Sequence, residues 1–340
     1  MTCVPDNLSA ILAARVPRYW PDLGIRTVTV EPVRQWDLAP CSWRLHRTYR
    51  ARLGLAEGGR RTLLLHTKTG PNVGKEYRML EALWRRGFGR DGPVRIPAPL
   101  DLVRETETLV TAHAPGRRLL GPLAASLLAG VRLLGRRWRR RRLHEVADWL
   151  VRFQEATRAP EPTTLAAYLD RIFPELESDG ALCGDLAARL RTAVRESPWG
   201  RHPVPQASVH KDFSARNILY GRGRMTVVDW EGGSAWPQLD AGPILLDALT
   251  FSTNLLAMVR LPGVGWGEAR RAADEFLKAY RRRTQPCLPH EVVALAERVF
   301  LVQYAADYAR DRHTISPVRS RAADRCVRRL LRCLKEGMTR

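Results

Sequence analysis

The stretch from His210 to Asp229 constrains the fold of this chain more than any other part of the sequence. It begins with a polar loop that carries Asp212 and, five residues later, Asn217. Two short apolar runs follow, separated by a Gly/Arg turn, and Asp229 ends the second run. Apolar runs on either side of such a turn predict a β-hairpin. Loop and hairpin together bring two carboxylates and one amide to one end of a small substructure.

This set of side chains is the one that phosphoryl transfer needs. One carboxylate accepts a hydroxyl proton, while an amide and a second carboxylate hold Mg²⁺. The spacing His-x-Asp-x-x-x-x-Asn from His210 to Asn217 is typical of such a catalytic loop. Asp and Asn are also common in turns, and a carboxylate at the end of a hairpin can serve capping alone. Both interpretations are open on the spacing alone.

With this loop and the strand-end Asp, the chain resembles the aminoglycoside phosphotransferase family, a branch of the protein-kinase-like fold. The resemblance implies that Asp212 is the catalytic base and that Asn217 and Asp229 are metal ligands. His210 takes the place of the structural histidine of the catalytic loop. Lys211 stands where the family often has Gly, which removes no catalytic group but changes what lies beside the site.

The resemblance also implies a fold and an activity. The fold is α+β and two-lobed, protein-kinase-like, with a small antiparallel β lobe carrying one helix and a larger, mostly helical lobe. Ala112–Leu119 resembles the hinge of the family, so the lobes are predicted at residues 1–113 and 114–340. The implied activity is phosphorylation of a hydroxyl group with ATP and Mg²⁺. The acceptor is a small molecule: a sugar, an antibiotic-like compound or a lipid-linked compound.

Three consecutive strands are predicted in the first lobe, where apolar and β-branched residues lie between turn residues, over residues 26–33, 43–55 and 61–69. Strands of these lengths with short connections indicate an antiparallel meander. A helix from Gly74 to Trp84 follows, because Tyr77, Leu80 and Trp84 recur on one stripe.

Lys68 stands at the end of the third predicted strand. The resemblance assigns it to the nucleotide phosphates and pairs it with a Glu on the next helix. Glu76, in the first turn of that helix, is the predicted partner, and Glu81 is the alternative. Solvation of Lys68 at the surface, and stabilisation of the helix N-terminus by Glu76, are the competing interpretations.

The loop from Asp37 to Ser42 lies where this fold covers the nucleotide phosphates. Related loops commonly contain glycines, which let backbone N–H groups approach the phosphates. This loop contains none, so Ser42 is predicted to supply a hydroxyl instead. The missing glycines favour an alternative function, a catalytically degenerate kinase-fold protein that binds nucleotide or a partner. The intact Asp212, Asn217 and Asp229 oppose that alternative.

The net charge is +21, from 56 Lys and Arg against 35 Asp and Glu. Such a surface favours anionic partners, among them nucleotides, phosphorylated substrates and acidic lipid headgroups, and it disfavours a polycationic aminoglycoside over long range. A coding bias toward Arg is the alternative explanation. No specific nucleic-acid partner is expected, because the sequence contains no recognised binding module and no interleaved aromatic-basic pattern.

An apolar run followed by six arginines occupies Leu119–Arg142. The run is shorter than the ~20 residues that span a bilayer, and Pro122 and Arg132 interrupt it. One hypothesis is peripheral contact with an acidic membrane, with Trp138 at the headgroups. The alternative is a core helix followed by a solvated basic turn.

The six cysteines form no Cys-x-x-Cys pair, and the first 19 residues lack the apolar core of a signal peptide. Both features predict a cytoplasmic protein, peripheral at the inner membrane surface if the basic segment binds lipid. Pro237–Asp240 matches a Pro-x-x-Asp of the family, whose Asp braces the catalytic loop; a helix N-cap is the alternative role for Asp240. Glu231 is a further candidate to touch a metal or the acceptor.

Overall fold

A computed structural model of the chain describes residues 7–32, 47–67, 72–90, 92–128, 132–178, 184–210, 212–230, 241–261, 263–284 and 288–311. The chain forms two compact units, Met1–Arg117 with Leu219–Glu231, and Arg118–Ile218 with Gly232–Arg340. The first division lies close to the boundary at residues 113 and 114 predicted from the sequence. The hairpin after the predicted catalytic loop joins the first unit, although it is separated from the rest of that unit by about a hundred residues.

The first unit is built on a five-stranded antiparallel sheet with the strand order β1-β2-β3-β6-β5. Its elements are α1 (Leu8–Tyr19), β1 (Ile25–Pro32), β2 (Arg47–Leu55), β3 (Arg60–Thr67), α2 (Asn72–Arg85), β4 (Val94–Arg95), β5 (Pro99–Val103) and β6 (Thr108–Ala112). The predicted meander and the helix after it are confirmed. The two short strands after α2 complete the sheet, with β6 next to β3.

Helix α1 covers one face of this sheet. Its residues Leu8, Leu12 and Val16 recur every four positions and are fully buried. They pack in one cluster with Tyr49 and Leu53, which stand at alternate positions of β2 and therefore point to the same side. Burial of each such side chain contributes roughly 1.5–3 kcal/mol. The residues of β2 between Tyr49 and Leu53 that point the other way are not covered by α1.

A carboxylate of β5 fastens the end of α1. Asp101 accepts a hydrogen bond from Arg15 at 3.1 Å and another from the hydroxyl of Tyr19 at 2.5 Å. Arg15 also contacts Glu105 at 2.6 Å. Burial and the bond to Asp101 raise the pKa of Tyr19, so this phenol stays a donor. The contacts fix α1 against the sheet at the helix end far from Leu8.

The predicted hairpin is confirmed as β11 (Ile218–Gly221) and β12 (Arg224–Val227), in a small sheet with the order β4-β12-β11-β7, where β7 is Arg117–Arg118. Strand β12 runs parallel to β4 and pairs with it through Met225 and Val94. Gly116 has a φ of 137°, and a Cβ there would meet the backbone of Tyr220 at 2.7 Å. Only glycine fits this close approach.

The second unit is mostly helical. Its helices are α3 (Leu120–Leu127), α4 (Arg132–Ala156), α5 (Leu165–Ser178), α6 (Gly184–Glu196), α7 (Leu245–Leu256), α8 (Trp266–Thr284) and α9 (His290–Asp311). Its short strands β8 (Thr163–Thr164) and β9 (Pro203–Val204) pair with each other, as do β10 (Gln206–Ser208) and β13 (Ala241–Pro243). Helices α4, α7 and α8 pack together and form the core beneath the loop that follows β10.

Helix α4 begins at Arg132 and therefore includes the basic end of the segment Leu119–Arg142. The arginines predicted as a solvated turn are therefore helical, and two of them are buried, Arg139 with 4% and Arg142 with 6% of its surface exposed. Arginine is a good helix former, so a basic run does not by itself end a helix.

The buried arginines have acceptors inside the unit. Arg139 donates to the main-chain oxygen of Ser126 at 3.0 Å and lies 3.9 Å from Glu268. Arg142 donates to Glu145 at 2.5 Å. Burial lowers the pKa of Arg139, which is the cost of enclosing its charge. These contacts hold α4 against the end of α3 and against α8.

The apolar run before the arginines is also enclosed. Leu119, Leu123 and Leu127 are at most 1% exposed, and α3 packs on α4. The structure thus favours the core-helix alternative for the apolar part of Leu119–Arg142. Among the described residues no helix is long and apolar enough to cross a membrane.

Candidate active site

The predicted catalytic loop follows β10 and is held from beneath by α7. The main-chain N–H of His210 donates to Asp247 of α7 at 2.8 Å. Both residues are buried, with His210 at 0% and Asp247 at 1% exposure. A carboxylate that accepts a backbone N–H makes a strong, charge-assisted hydrogen bond. Asp247 therefore fixes the backbone at the start of the loop.

The sequence analysis missed Asp247. It assigned the bracing role to Asp240, which lies outside the described residues, as does Glu231. A signal was present, because Asp247 is an acid within the otherwise apolar run from Ile244 to Leu249. Acids are almost never fully buried unless a partner compensates them.

An aromatic cluster supports the loop from the same side. Phe213, fully buried, stacks on Trp149 of α4 with ring centroids 5.6 Å apart. It also contacts Phe251 of α7 at 5.4 Å, and Phe251 contacts Phe276 of α8 at 4.5 Å. The ring of His210 meets Phe213 edge-on at 5.8 Å. Ring pairs of this kind add stability beyond the area they bury.

Asp212 and Asn217 are joined directly. The side-chain NH₂ of Asn217 donates to the main-chain oxygen of Asp212 at 3.0 Å and to its carboxylate at 2.9 Å. The main-chain N–H of Asn217 donates to Ser214 at 3.0 Å, which closes the loop. Asp212 is exposed, whereas Phe213, Ser214 and Ala215 are buried. The loop thus presents one carboxylate to solvent and uses the Asn NH₂ to hold it.

Asp229 follows β12 in the first unit and has an unusual backbone. Its φ is 65°, in the left-handed region, and its side chain is exposed. The other described non-glycine residues with positive φ are Glu107, after a 3₁₀ turn, and Arg222, in the hairpin turn. The next residue, Trp230, is buried and its indole N–H donates to Val227 at 3.2 Å. A left-handed Asp held this way suggests a functional constraint.

A small cavity in the first unit brings two of the predicted residues together. Its volume is about 10 Å³, and its wall includes Glu76 of α2, Thr111 of β6, Asp229 and Trp230. Glu76 is 8% exposed. Two acidic residues from distant parts of the sequence therefore line one cavity.

Lys68 and Ser42 lie outside the described residues, so the pairing of Lys68 with Glu76 stays a prediction. The structure bears on its alternative, because Glu81 contacts Arg85 at 2.9 Å along α2. Glu76 is buried beside the pocket and Glu81 is not, which favours Glu76.

The donors predicted to bind metal suit Mg²⁺. Asp229 offers an exposed carboxylate, and the amide oxygen of Asn217 remains for a ligand because its NH₂ is used inside the loop. Mg²⁺ prefers such hard oxygen atoms and needs only one or two protein ligands, since it keeps several waters and binds substrate phosphates. The chemistry of these two side chains fits the ion.

Comparison with known families decides the relationship. The model of the phosphotransferase enzyme family matches residues 45–287, well over half of the chain. The chain belongs to the phosphotransferase enzyme family. The match includes the catalytic loop, Asp229 and Asp247. A comparison with curated proteins finds no match.

Solved structures of other phosphotransferases share the fold. A glucosamine kinase in complex with glucosamine, ADP and inorganic phosphate aligns over 96% of this chain and 100% of its own, with a TM-score of 0.55 and 17% identity. A putative aminoglycoside phosphotransferase from Ralstonia eutropha aligns over 94% and 95%, with a TM-score of 0.59 and 15% identity. A choline/ethanolamine kinase family protein from Mesorhizobium loti aligns over 91% of this chain and 88% of its own, with a TM-score of 0.53 and 16% identity. At such identities the likeness shows the fold alone, and it confirms the predicted two-lobed, protein-kinase-like α+β class.

Proposed function

We propose that this phosphotransferase uses ATP and Mg²⁺ to phosphorylate a hydroxyl group of a small molecule. The observation that carries the proposal is the bond between Asp212 and Asn217, in a loop that leaves the Asp carboxylate exposed. A base must be accessible to the hydroxyl it serves and must keep its position. A catalytically degenerate protein that only binds nucleotide would need neither property.

Asp212 would accept the proton of the acceptor hydroxyl as the acceptor oxygen forms its bond to the γ-phosphorus and the bond to ADP breaks. Asn217 and Asp229 would hold Mg²⁺, which when bound neutralises the phosphate charge. Lys68 would contact the phosphates and Glu76 would orient Lys68. Ser42 would add a hydroxyl in the loop that has no glycine.

The acceptor we propose is neutral or anionic. The net charge of +21 repels a polycation at long range, which places sugars and lipid-linked alcohols ahead of aminoglycosides. One protein of the same fold was solved with glucosamine and ADP, so amino sugars belong in any screen.

A cytoplasmic location is the simplest setting for this reaction. Peripheral contact of Leu119–Arg142 with acidic lipid has less support, because Arg139 and Arg142 are buried. Arg136, Arg137, Arg140 and Arg141 are exposed; Arg140 and Arg141 contact Glu275 and Glu145, so Arg136 and Arg137 are the pair left to test. Co-sedimentation with anionic vesicles at low and high salt, before and after changing both to Gln, decides it. Equal binding by both proteins, or none by the wild type, removes the membrane from the proposal.

The function is tested by an acceptor screen. Formation of ADP from ATP is measured with and without sugars, amino sugars, amino alcohols, aminoglycosides and glycolipids, each with Mg²⁺ and with EDTA. The proposal predicts acceptor-dependent ADP formation that EDTA abolishes. Binding of nucleotide without turnover on any acceptor would favour the degenerate alternative. Absence of nucleotide binding would contradict both.

A further inference from the structure

The face of the large sheet opposite α1 carries a cation, Arg50, whose Nε has no hydrogen-bond partner among the described residues. Tyr49 and Leu53 of β2 face α1, so Arg50 and Arg52 between them face the other way. Glu31 of β1 stands directly opposite Arg50 in the register. It nevertheless pairs with Arg52, at 2.8 Å. One carboxylate thus serves one of two arginines.

Arg50 is left half-buried. Its Nε is enclosed and has no hydrogen-bond partner in the described part of the chain. Arg52, by contrast, has 48% of its side chain exposed and is ion-paired. An enclosed guanidinium nitrogen without an acceptor is unfavourable unless something else satisfies or covers it. A bound ligand is a natural candidate at this face.

The register leads from Arg50 to the pocket. Arg50 pairs with Leu64 of β3, and Leu64 pairs with Thr111 of β6. Residues paired directly across strands lie on one face, so Arg50 and Thr111 share it, about 10 Å apart. Thr111 lines the cavity that also contains Asp229. The pKa of His113, which lies between Ala112 and Ala114 of the cavity wall, is lowered by burial and by the charge of Arg50.

The position of Arg50 along β2 indicates which part of a bound nucleotide it would contact. Strand β3 ends at Thr67, which pairs with Arg47, and Lys68 follows it. The Arg50 pair lies three residues away from this end, about 10 Å. If Lys68 and Asp229 serve the phosphates, Arg50 lies toward the nucleoside.

We propose that Arg50 stacks its guanidinium on the purine base of the bound nucleotide, a specificity contact that deepens the proposed function and rests on it. Side chains stand roughly perpendicular to a sheet, so Arg50 approaches a base lying beneath the sheet from above its ring. A planar guanidinium stacks on aromatic rings and keeps its charge, which a lysine cannot reproduce.

Calorimetry with three probes tests the inference: ADP, adenosine and pyrophosphate. We expect Arg50→Ala to weaken ADP and adenosine by the same factor, about tenfold, and to leave pyrophosphate unchanged. Arg50→Lys should resemble Arg50→Ala. Arg52→Ala, the matched control on the same strand and face, should bind all three probes like the wild type.

Each other result would contradict a specific part of the inference. A loss for pyrophosphate, or full rescue by Lys, would make Arg50 a charge for phosphates and refute stacking. Unchanged affinity for ADP and adenosine in Arg50→Ala would refute the inference while the proposed function stands. A wild-type protein that binds no ADP would remove both.

Discussion

The two candidate acids of this phosphotransferase, Asp212 and Asp229, are presented in different ways. Asp212 belongs to a loop held by hydrogen bonds: Asn217 donates to its carboxylate, and Asp247 accepts from the backbone N–H of His210, two residues earlier. Asp229 stands after a short strand in a left-handed conformation, with the indole bond of Trp230 beside it. One acid is positioned by hydrogen bonds and packing, the other by its own backbone.

This difference predicts which substitutions should impair the function of each acid. The geometry of Asp212 depends on residues of α4 and α7, so substitutions remote in sequence should slow turnover. The geometry of Asp229 depends on a few neighbouring residues and on a conformation that costs an ordinary residue roughly 1–2 kcal/mol. Substitution at Asp229 should therefore separate stability from function.

The largest expected effect is that of Asp212→Asn. Asn keeps the size of the side chain but cannot accept the hydroxyl proton, so turnover should fall by about 10²–10⁴-fold. The fold should be retained, because Asp212 is exposed. Single-turnover assays with saturating nucleotide measure the effect. A rate within a few-fold of the wild type would end the assignment of Asp212 as base.

Asp247→Asn tests the remote support of the loop. The change keeps the volume but removes the charge that strengthens the bond to His210, and should cost about 1–3 kcal/mol of unfolding free energy. Asp247 acts here as a positioning residue, so kcat should fall by roughly 10–100-fold while KM for nucleotide stays constant.

Tyr280→Phe is the matched control. The hydroxyl of Tyr280 lies 2.9 Å from both Gln154 and the main-chain oxygen of Ile244, a buried bond at the start of α7 that does not touch the loop. It should cost about 1 kcal/mol of stability and leave kcat unchanged. If both variants lower kcat equally, Asp247 contributes only to stability.

The smallest effect concerns the backbone of Asp229. Gly adopts a positive φ without strain, so Asp229→Gly should be more stable than Asp229→Ala by about 1 kcal/mol, although both lack the carboxylate. Denaturant unfolding measures the difference. Arg222→Gly, at φ 50° in the hairpin turn, should gain stability similarly and keep full activity. Equal stability of the Gly and Ala variants would show that the backbone at Asp229 is not strained.

Local features of this fold could be predicted from the sequence. The strands β1 to β3 and helix α2 follow from alternation and helical periodicity, and the spacing of Asp212 and Asn217 marked one short loop, within which the structure shows a bond between them. These features depend on residues close together in the chain. A pattern over ten or fifteen residues contains the information that determines them.

The rest depends on contacts between distant residues. Asp247 binds the backbone of His210 across 37 positions, and its place in an apolar run signals burial without naming this partner. Arg139 is buried in the fold, where Ser126 and Glu268 offer acceptors. The basic run that could have been a solvated turn is therefore part of α4. Arg50 and Glu31 are opposite in the register, yet Glu31 forms its ion pair with Arg52. The partners of such side chains are determined only by the folded structure.

The central claim is that Asp212 is a base and Asp229 a metal ligand. The most direct measurement is calorimetry of ATP binding, with and without Mg²⁺, to the wild type, Asp212→Asn and Asp229→Ala. The wild type and Asp212→Asn should bind ATP with the same Mg²⁺-dependent affinity, whereas Asp229→Ala should lose the Mg²⁺-dependent part. Equal Mg²⁺-dependent affinity in Asp229→Ala and the wild type would contradict the claim.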